Sequence, residues 1–422
     1  MSILKFPNRI NYIHNNDFKT ILIKIMFPFD NTLENIGFNT MLPQLLSYVT
    51  KNYPNEDDLL LEKKKRYFLM SHIYNNTIGP NGCLCYEFAI PDKTCLKENY
   101  FEEQFELMKE IIYNPKVNNN KFDDSNYERE LTNTLLELDS IDKNMRSYRR
   151  NKLINLVDDQ GILSLNIYNN REKLNEVNTS NLYDYYKKVI SNTPFIFVFG
   201  NVDENVFNDL FNKYIIRSKE KEIIVDEKYD NYLTNYKDNY SYYEEKKDFK
   251  DSSLSIVYKI KDYSKNDIKY LFLVRGILDS LSSRVLDDKL RGEHNLVYAS
   301  VCNIYKHYGL FEIVTYINKE NKDLVFEKVL EVMDDIKNEE FITPLIEKVI
   351  AGERISLLKR LDLKYGLFDD YIYNYLGLEV DREELYNMFL NVKPREIVDF
   401  LNRFIIDTVY FLEEGDSNDW DC

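Results

Sequence analysis

The chain has 422 residues, 44% apolar and 30% charged, with a net charge of −16 from 55 basic and 71 acidic residues. It is too apolar and too aromatic for a disordered acidic chain, and an acidic balance without a basic stripe excludes the usual nucleic-acid or anionic-membrane binder. Its length allows two or three domains, its 12 Gly and 10 Pro exclude collagenous or linker-like architecture, and its four histidines leave little for a His-rich metal site.

Residues 1–16 lack the basic, apolar and small-residue order of a secretory signal. No window approaches the ~18 apolar residues of a membrane span. Five cysteines (Cys83, Cys85, Cys95, Cys302, Cys422) are odd in number and sparse, as in a reduced cytoplasmic protein. Residues 18–29 alternate, with Ile21, Ile23, Ile25 and Phe27 on one face, and predict a half-buried strand. A helix is expected over 34–50 and another over 57–73. The second contains the basic run Lys63 to Arg66, read as a solvated face, and carries His72. Turn chemistry at 79–82 leads into a strand, CLCYEFAI, ending at Pro91. Helices follow at 99–113, 125–155 and 180–190, then an apolar strand at 195–199 and a helix at 204–214. Residues 217–250 are dense in Lys, Glu, Asp, Asn and Tyr without a clean period, and read as a linker.

The order then repeats. A strand is expected near 254–260, a helix at 267–291 containing Ser282, Ser283 and Arg284, and strands at 297–304 and 309–317. Helices follow at 321–337, 343–362, 367–376, 382–390 and 394–405, and a last strand at 408–412. "FIFVFGNVD" closes the first half and "TVYFLEEGD" the second, which suggests a duplicated α+β unit. The expected domains are 1–216, a charged linker at 217–250, and 251–422. Each half is expected to be an antiparallel or mixed sheet flanked by helices.

The residues themselves offer few chemistries. His72, Cys83, Cys85 and Cys95 are four soft ligands within a short stretch, but C-x-C on a strand lacks the turn geometry that zinc sites favour, so buried reduced thiols are preferred. Cys302 with His307 straddles a predicted hairpin turn and has no orienting acid. No nucleophile-elbow, P-loop or dinucleotide fingerprint is present.

The informative stretch is SSRVLDDKLRGEHNLVYAS, from Ser282 to Ser300, followed by "HYGLFEI" and an alternating strand. It resembles the second-half signature of the insulinase/pitrilysin-like zinc peptidases of the mitochondrial processing peptidase type, a Ser-Ser-Arg-Leu segment and then Leu-Arg-Glu-x-x-Gly-Leu-Ala-Tyr-Ser. Its departures include Gly292 for Glu, Asn295 for Gly and Val297 for Ala. The order of elements resembles that family over essentially the whole chain, which implies an insulinase-like half-clamshell.

That family's zinc signature is H-x-x-E-H in the first half with a distal Glu. The resemblance places its positions on Thr40, Pro43 and Gln44, and no histidine lies between His14 and His72 to restore it in another register. Glu137 looks like the distal Glu, but alone it cannot hold zinc, and by itself it reads as a solvated helix residue. No metal or cofactor is therefore expected in this chain. The resemblance implies the non-catalytic subunit of a two-chain bacterial peptidase, with zinc in the partner subunit. Arg291 and Tyr298 match the pair with which such a subunit binds a peptide, possibly a leader or other short peptide. Read without the resemblance, Arg291 caps a helix and Tyr298 is a strand-face aromatic. The alternative expectation is a non-enzymatic peptide-binding or scaffold homodimer of the same fold.

Overall fold

The computed structural model describes residues 10–67, 69–78, 81–95, 100–159, 161–217, 235–376 and 380–415. The chain forms two compact units, Met1–Asp226 and Glu227–Cys422. In the first, strands β1 (Ile10–His14), β2 (Thr20–Asp30), β3 (Met70–Ile78), β4 (Asn81–Pro91) and β7 (Phe195–Gly200) form one sheet, and β5 (Val117–Asn118) and β6 (Lys121–Phe122) form a small hairpin. Its helices are α1 (Ile36–Leu46), α2 (Glu56–Lys65), α3 (Tyr100–Tyr113), α4 (Asp124–Lys143), α5 (Met145–Val157), α6 (Thr179–Ile190) and α7 (Glu204–Tyr214).

The second unit has strands β8 (Ser241–Lys246), β9 (Ser252–Ile260), β10 (Val297–Tyr305), β11 (Leu310–Ile317) and β12 (Phe404–Glu413). Its helices are α8 (Ile268–Leu278), α9 (Val285–Asp287), α10 (Lys322–Asp335), α11 (Glu339–Arg360), α12 (Lys364–Tyr375), α13 (Arg382–Phe389) and α14 (Pro394–Leu401).

The sheet orders are β1-β7-β2-β4-β3 and β8-β12-β9-β11-β10. Position for position they are the same sheet. In each, the first strand of the unit lies parallel to the last, and the other pairings are antiparallel. The duplication expected from the two strand endings is thus a duplication of topology, and the fold is α+β.

Burial explains why these strands form. On β2, Ile21, Ile23, Ile25 and Phe27 are fully buried against Met41 and Leu42 of α1, Phe105 and Met108 of α3, and Phe207 and Phe211 of α7. On β9, Leu254, Ile256, Tyr258 and Ile260 pack with Val325 and Val329 of α10 and Ile397 of α14. Each large apolar side chain so buried contributes ~1.5–3 kcal/mol. The opposite faces of the two central strands carry one lysine each, both buried and paired. Lys24 Nζ lies 3.0 Å from Glu87, and Lys259 Nζ 2.9 Å from Asp407.

Several expected elements are corrected. The helix expected over 57–73 stops at Lys65. Tyr67 turns the chain with φ of 58°, and β3 begins at Met70, so His72 lies on a strand. The helix over 125–155 is two helices, broken at Asn144, whose side chain caps α5 by accepting from Ser147 N at 3.0 Å. The helix over 267–291 is interrupted, with Ser282, Ser283 and Arg284 between α8 and α9. Ser280 Oγ accepts from Ser282 N and Ser283 N, and the Ser283 hydroxyl donates to Ile277 O. These local bonds compete with helix continuation. The stretch 217–250 is not only a linker, because β8 adds a sheet edge.

Candidate functional site

In the first unit, α1 packs against edge strand β3, and the Asn75 side-chain amide donates to Asn39 O across the contact. A cavity of about 510 Å³ opens beside this joint. Thr40, Pro43 and Gln44 line it from α1, Lys63 from α2, and His72 and Asn75 from β3. All three degenerate zinc-motif positions therefore share one cavity.

They do not fit zinc. Zinc is bound by imidazole, thiolate or carboxylate, and Thr40, Pro43 and Gln44 supply none of these. The Thr40 hydroxyl is turned back on its own helix, donating to Ile36 O at 2.8 Å, and Pro43 has no side-chain donor or acceptor. Glu137 sits on α4, is exposed, and is absent from the cavity lining. His72 and the cysteines do not complete a set either. Among the described residues no three of His, Cys, Asp and Glu gather where they could hold a metal ion. Burial pushes the Cys83 thiol up to about 12 and the Cys85 thiol well above the usual range, so both are poor thiolates. The Cys95 side chain lies outside the described residues.

Lys63 differs from the solvated lysine expected of it. It lines the cavity, and burial lowers its ammonium below the ordinary lysine range. No feature of the basic run separates Lys63 from Lys64 and Lys65. Only the chain reversal at Tyr67 brings α2 alongside the start of β3, where Leu69 N donates to Lys63 O at 3.1 Å.

In the second unit the expected pair sits on a different device. After α9 the chain makes a π-helical turn, Asp288–Glu293, that presents Arg291 on the surface. Among the described residues no side-chain partner engages its guanidinium. The turn is closed by Asn295 N donating to Arg291 O at 3.1 Å and Leu296 N donating to Leu290 O at 2.8 Å. Asn295 has φ of 51°, in the left-handed region, where Asn is among the few tolerated residues besides Gly. The departure from the family's Gly is therefore conformationally conservative. Gly292, which replaces the family's Glu, has open space around its Cβ position, so a larger side chain there would meet nothing.

Tyr298 begins β10, an edge strand. The β10–β11 register shifts between Val297 and Ala299, a bulge centred on Tyr298. Bulges re-aim side chains and are frequent beside sites. Tyr298 is 53% exposed, and its hydroxyl donates to Asn318 Oδ1. Further along β10 the Cys302 thiol is buried and pushed well up by desolvation. With His307 in the following turn it is no activated nucleophile.

Comparison with known proteins agrees with this layout. The family described as Peptidase M16 inactive domain matches residues 176–351. A conserved protein from Enterococcus faecalis V583 superposes with a TM-score of 0.86 at 22% identity, covering 97% of each chain. A peptidase M16 inactive domain from Pseudomonas fluorescens gives 0.70 at 10% identity, over 96% of each chain. A protease from Helicobacter pylori gives 0.68 at 14% identity, covering 95% of this chain and 96% of its own. No curated protein matches. The chain has the fold of these solved structures throughout, and residues 176–351 match the M16 inactive domain. Among the described residues no helix is long and apolar enough to cross a membrane.

Proposed function

We propose that this chain is the catalytically incomplete subunit of a two-chain insulinase-like zinc peptidase, which binds and positions a peptide for a zinc-bearing partner subunit. The observation that carries the reading is the presentation of Arg291 and Tyr298. One is offered by a π-helical turn and the other by a bulge, while the zinc-motif positions of the same chain hold no zinc donors. Arg291 offers a permanent cation and a fork of donors to peptide carbonyls. Tyr298 exchanges its bond to Asn318 for one to the peptide. The free thiols of Cys83, Cys85 and Cys302 suit a reducing cytoplasm.

The test is co-expression with an insulinase-like subunit that carries H-x-x-E-H. The pair is expected to co-purify and to cleave peptides that neither chain cleaves alone. Arg291→Ala with Tyr298→Phe should lower kcat/KM of the complex by roughly tenfold to a thousandfold, the range for losing one charged and one neutral hydrogen bond. Unchanged kcat/KM sinks the substrate role. A stable homodimer that ignores the zinc-bearing chain would establish the scaffold reading instead.

A further inference from the structure

We infer that the cavity between α1, α2 and β3 is a carboxylate-binding site, with Lys63 as its cation. The inference rests on the first unit alone and stands whether or not Arg291 and Tyr298 bind a peptide.

Among the described residues, none of the eleven that line the cavity is acidic, in a chain whose acidic residues outnumber its basic ones by 71 to 55. Lys63 brings a positive charge. Among the described residues its ammonium is engaged in no ion pair. The His72 ring has a neutral neighbour, Tyr74, stacked at 4.7 Å between centroids. The nearest carboxylate in register is Glu87, opposite His72 on β4, and it is already satisfied. Lys24 Nζ lies 3.0 Å from it, and the Tyr74 hydroxyl donates to it at 3.2 Å. Among the described residues the Lys63 ammonium is thus left without a protein anion.

A half-buried ammonium without a counter-charge is under-solvated, as its lowered proton affinity reflects. An incoming anion replaces the missing solvation. One fixed positive charge matches the single charge of a carboxylate rather than the double charge of a phosphate monoester. The neutral lining supports this choice. Gln44 and Asn75 are side-chain amides with both donor and acceptor ends, suited to the peptide groups beside a carboxylate, and Ser71 adds a hydroxyl. About 510 Å³ exceeds the volume of a bare carboxylate and has room for the residue bearing it.

The experiment is calorimetric titration of the full chain with three N-acetylated tripeptides of alanine. The first ends in a free carboxylate, the second is amidated, and the third is amidated but has Glu at its centre. The free acid or the Glu peptide should bind at least tenfold tighter than the amidated control, and which of the two does so identifies a chain terminus or a side chain as the source. Lys63→Met should weaken that binding by roughly tenfold to a hundredfold, as for loss of one charge-assisted hydrogen bond, and Lys63→Arg should retain most of it. Circular dichroism establishes that each variant folds. Equal affinity for the amidated control, no binding by any probe at millimolar concentration, or binding indifferent to Lys63→Met overturns the assignment.

Discussion

Replacing Asn295 by valine tests whether the left-handed turn between Arg291 and Tyr298 is set by the backbone. The Asn295 residue is exposed, and its structural role is carried by its main chain, which closes the π-helical turn onto Arg291 O. Valine at that surface position removes no packing. What it adds is a β-branched Cβ at φ of 51°. A left-handed L-residue costs ~1–2 kcal/mol, and a β-branched one sits at the upper end. For a unit the size of Glu227–Cys422, ~2–4 °C of melting temperature accompanies each kcal/mol, so the expected fall is about 2–8 °C. Asn295→Gly should lie within about 1 °C of the parent, since easier access to the conformation offsets the greater freedom of its unfolded chain. Thermal melts of the full-length chain by calorimetry and circular dichroism provide the comparison. The reasoning fails if valine melts with the parent, or if glycine destabilises more than valine.

Two further outcomes are expected of the second unit. Lys259→Met strands the buried Asp407 carboxylate with only the half-exposed Lys237, 3.4 Å away, and the Thr408 hydroxyl. It should cost about 3 kcal/mol in urea unfolding, and Lys259→Met with Asp407→Leu should recover most of the loss. A double variant as unstable as the single one would refute the buried-pair account. Burial, then the Lys306 and Lys265 charges, hold the His307 imidazole down at about 4 instead of 6.5. Between those values the unfolded chain binds the proton that the folded chain refuses. Stability should therefore fall as pH drops from 6.5 to 4, by about 1–2 kcal/mol after allowing for partial exposure, and His307→Gln should flatten that slope. An unaltered slope in the variant excludes His307 as its source.

What the sequence revealed depended on how local the signal was. Strands β2, β4 and β7 were legible because each is a continuous or alternating apolar segment buried against helices. The edge strands β1 and β8 were not expected. Each is short and, among the described residues, joined to the sheet by parallel pairing with a strand more than 160 residues away, so no local periodicity marks it. The end of α2 was invisible because the stretch KKKRYFLMSH has neither Gly nor Pro, and the reversal falls on Tyr67. That single miss hid the cavity, since reading 57–73 as one helix kept Lys63 and His72 on one rod instead of bringing them to a common wall. Arg291 and Tyr298 were found through the resemblance of the Ser282–Ser300 stretch. The π-helical turn and the bulge that present them have no sequence signature of their own.

The parallel first-to-last pairing also governs the order in which the molecule can be built on the ribosome. β1 is made before the other strands of its sheet, yet its neighbour there among the described residues is β7, nearly two hundred residues downstream. At synthesis rates of ~5–20 residues per second, β1 and the adjoining flank of β2 wait on the order of ten seconds or more for that neighbour. β8 waits in the same way for β12, more than 160 residues downstream. Completing the second sheet therefore depends on the arrival of β12, and until then β8 and β9 lack the strand that lies between them in the finished sheet.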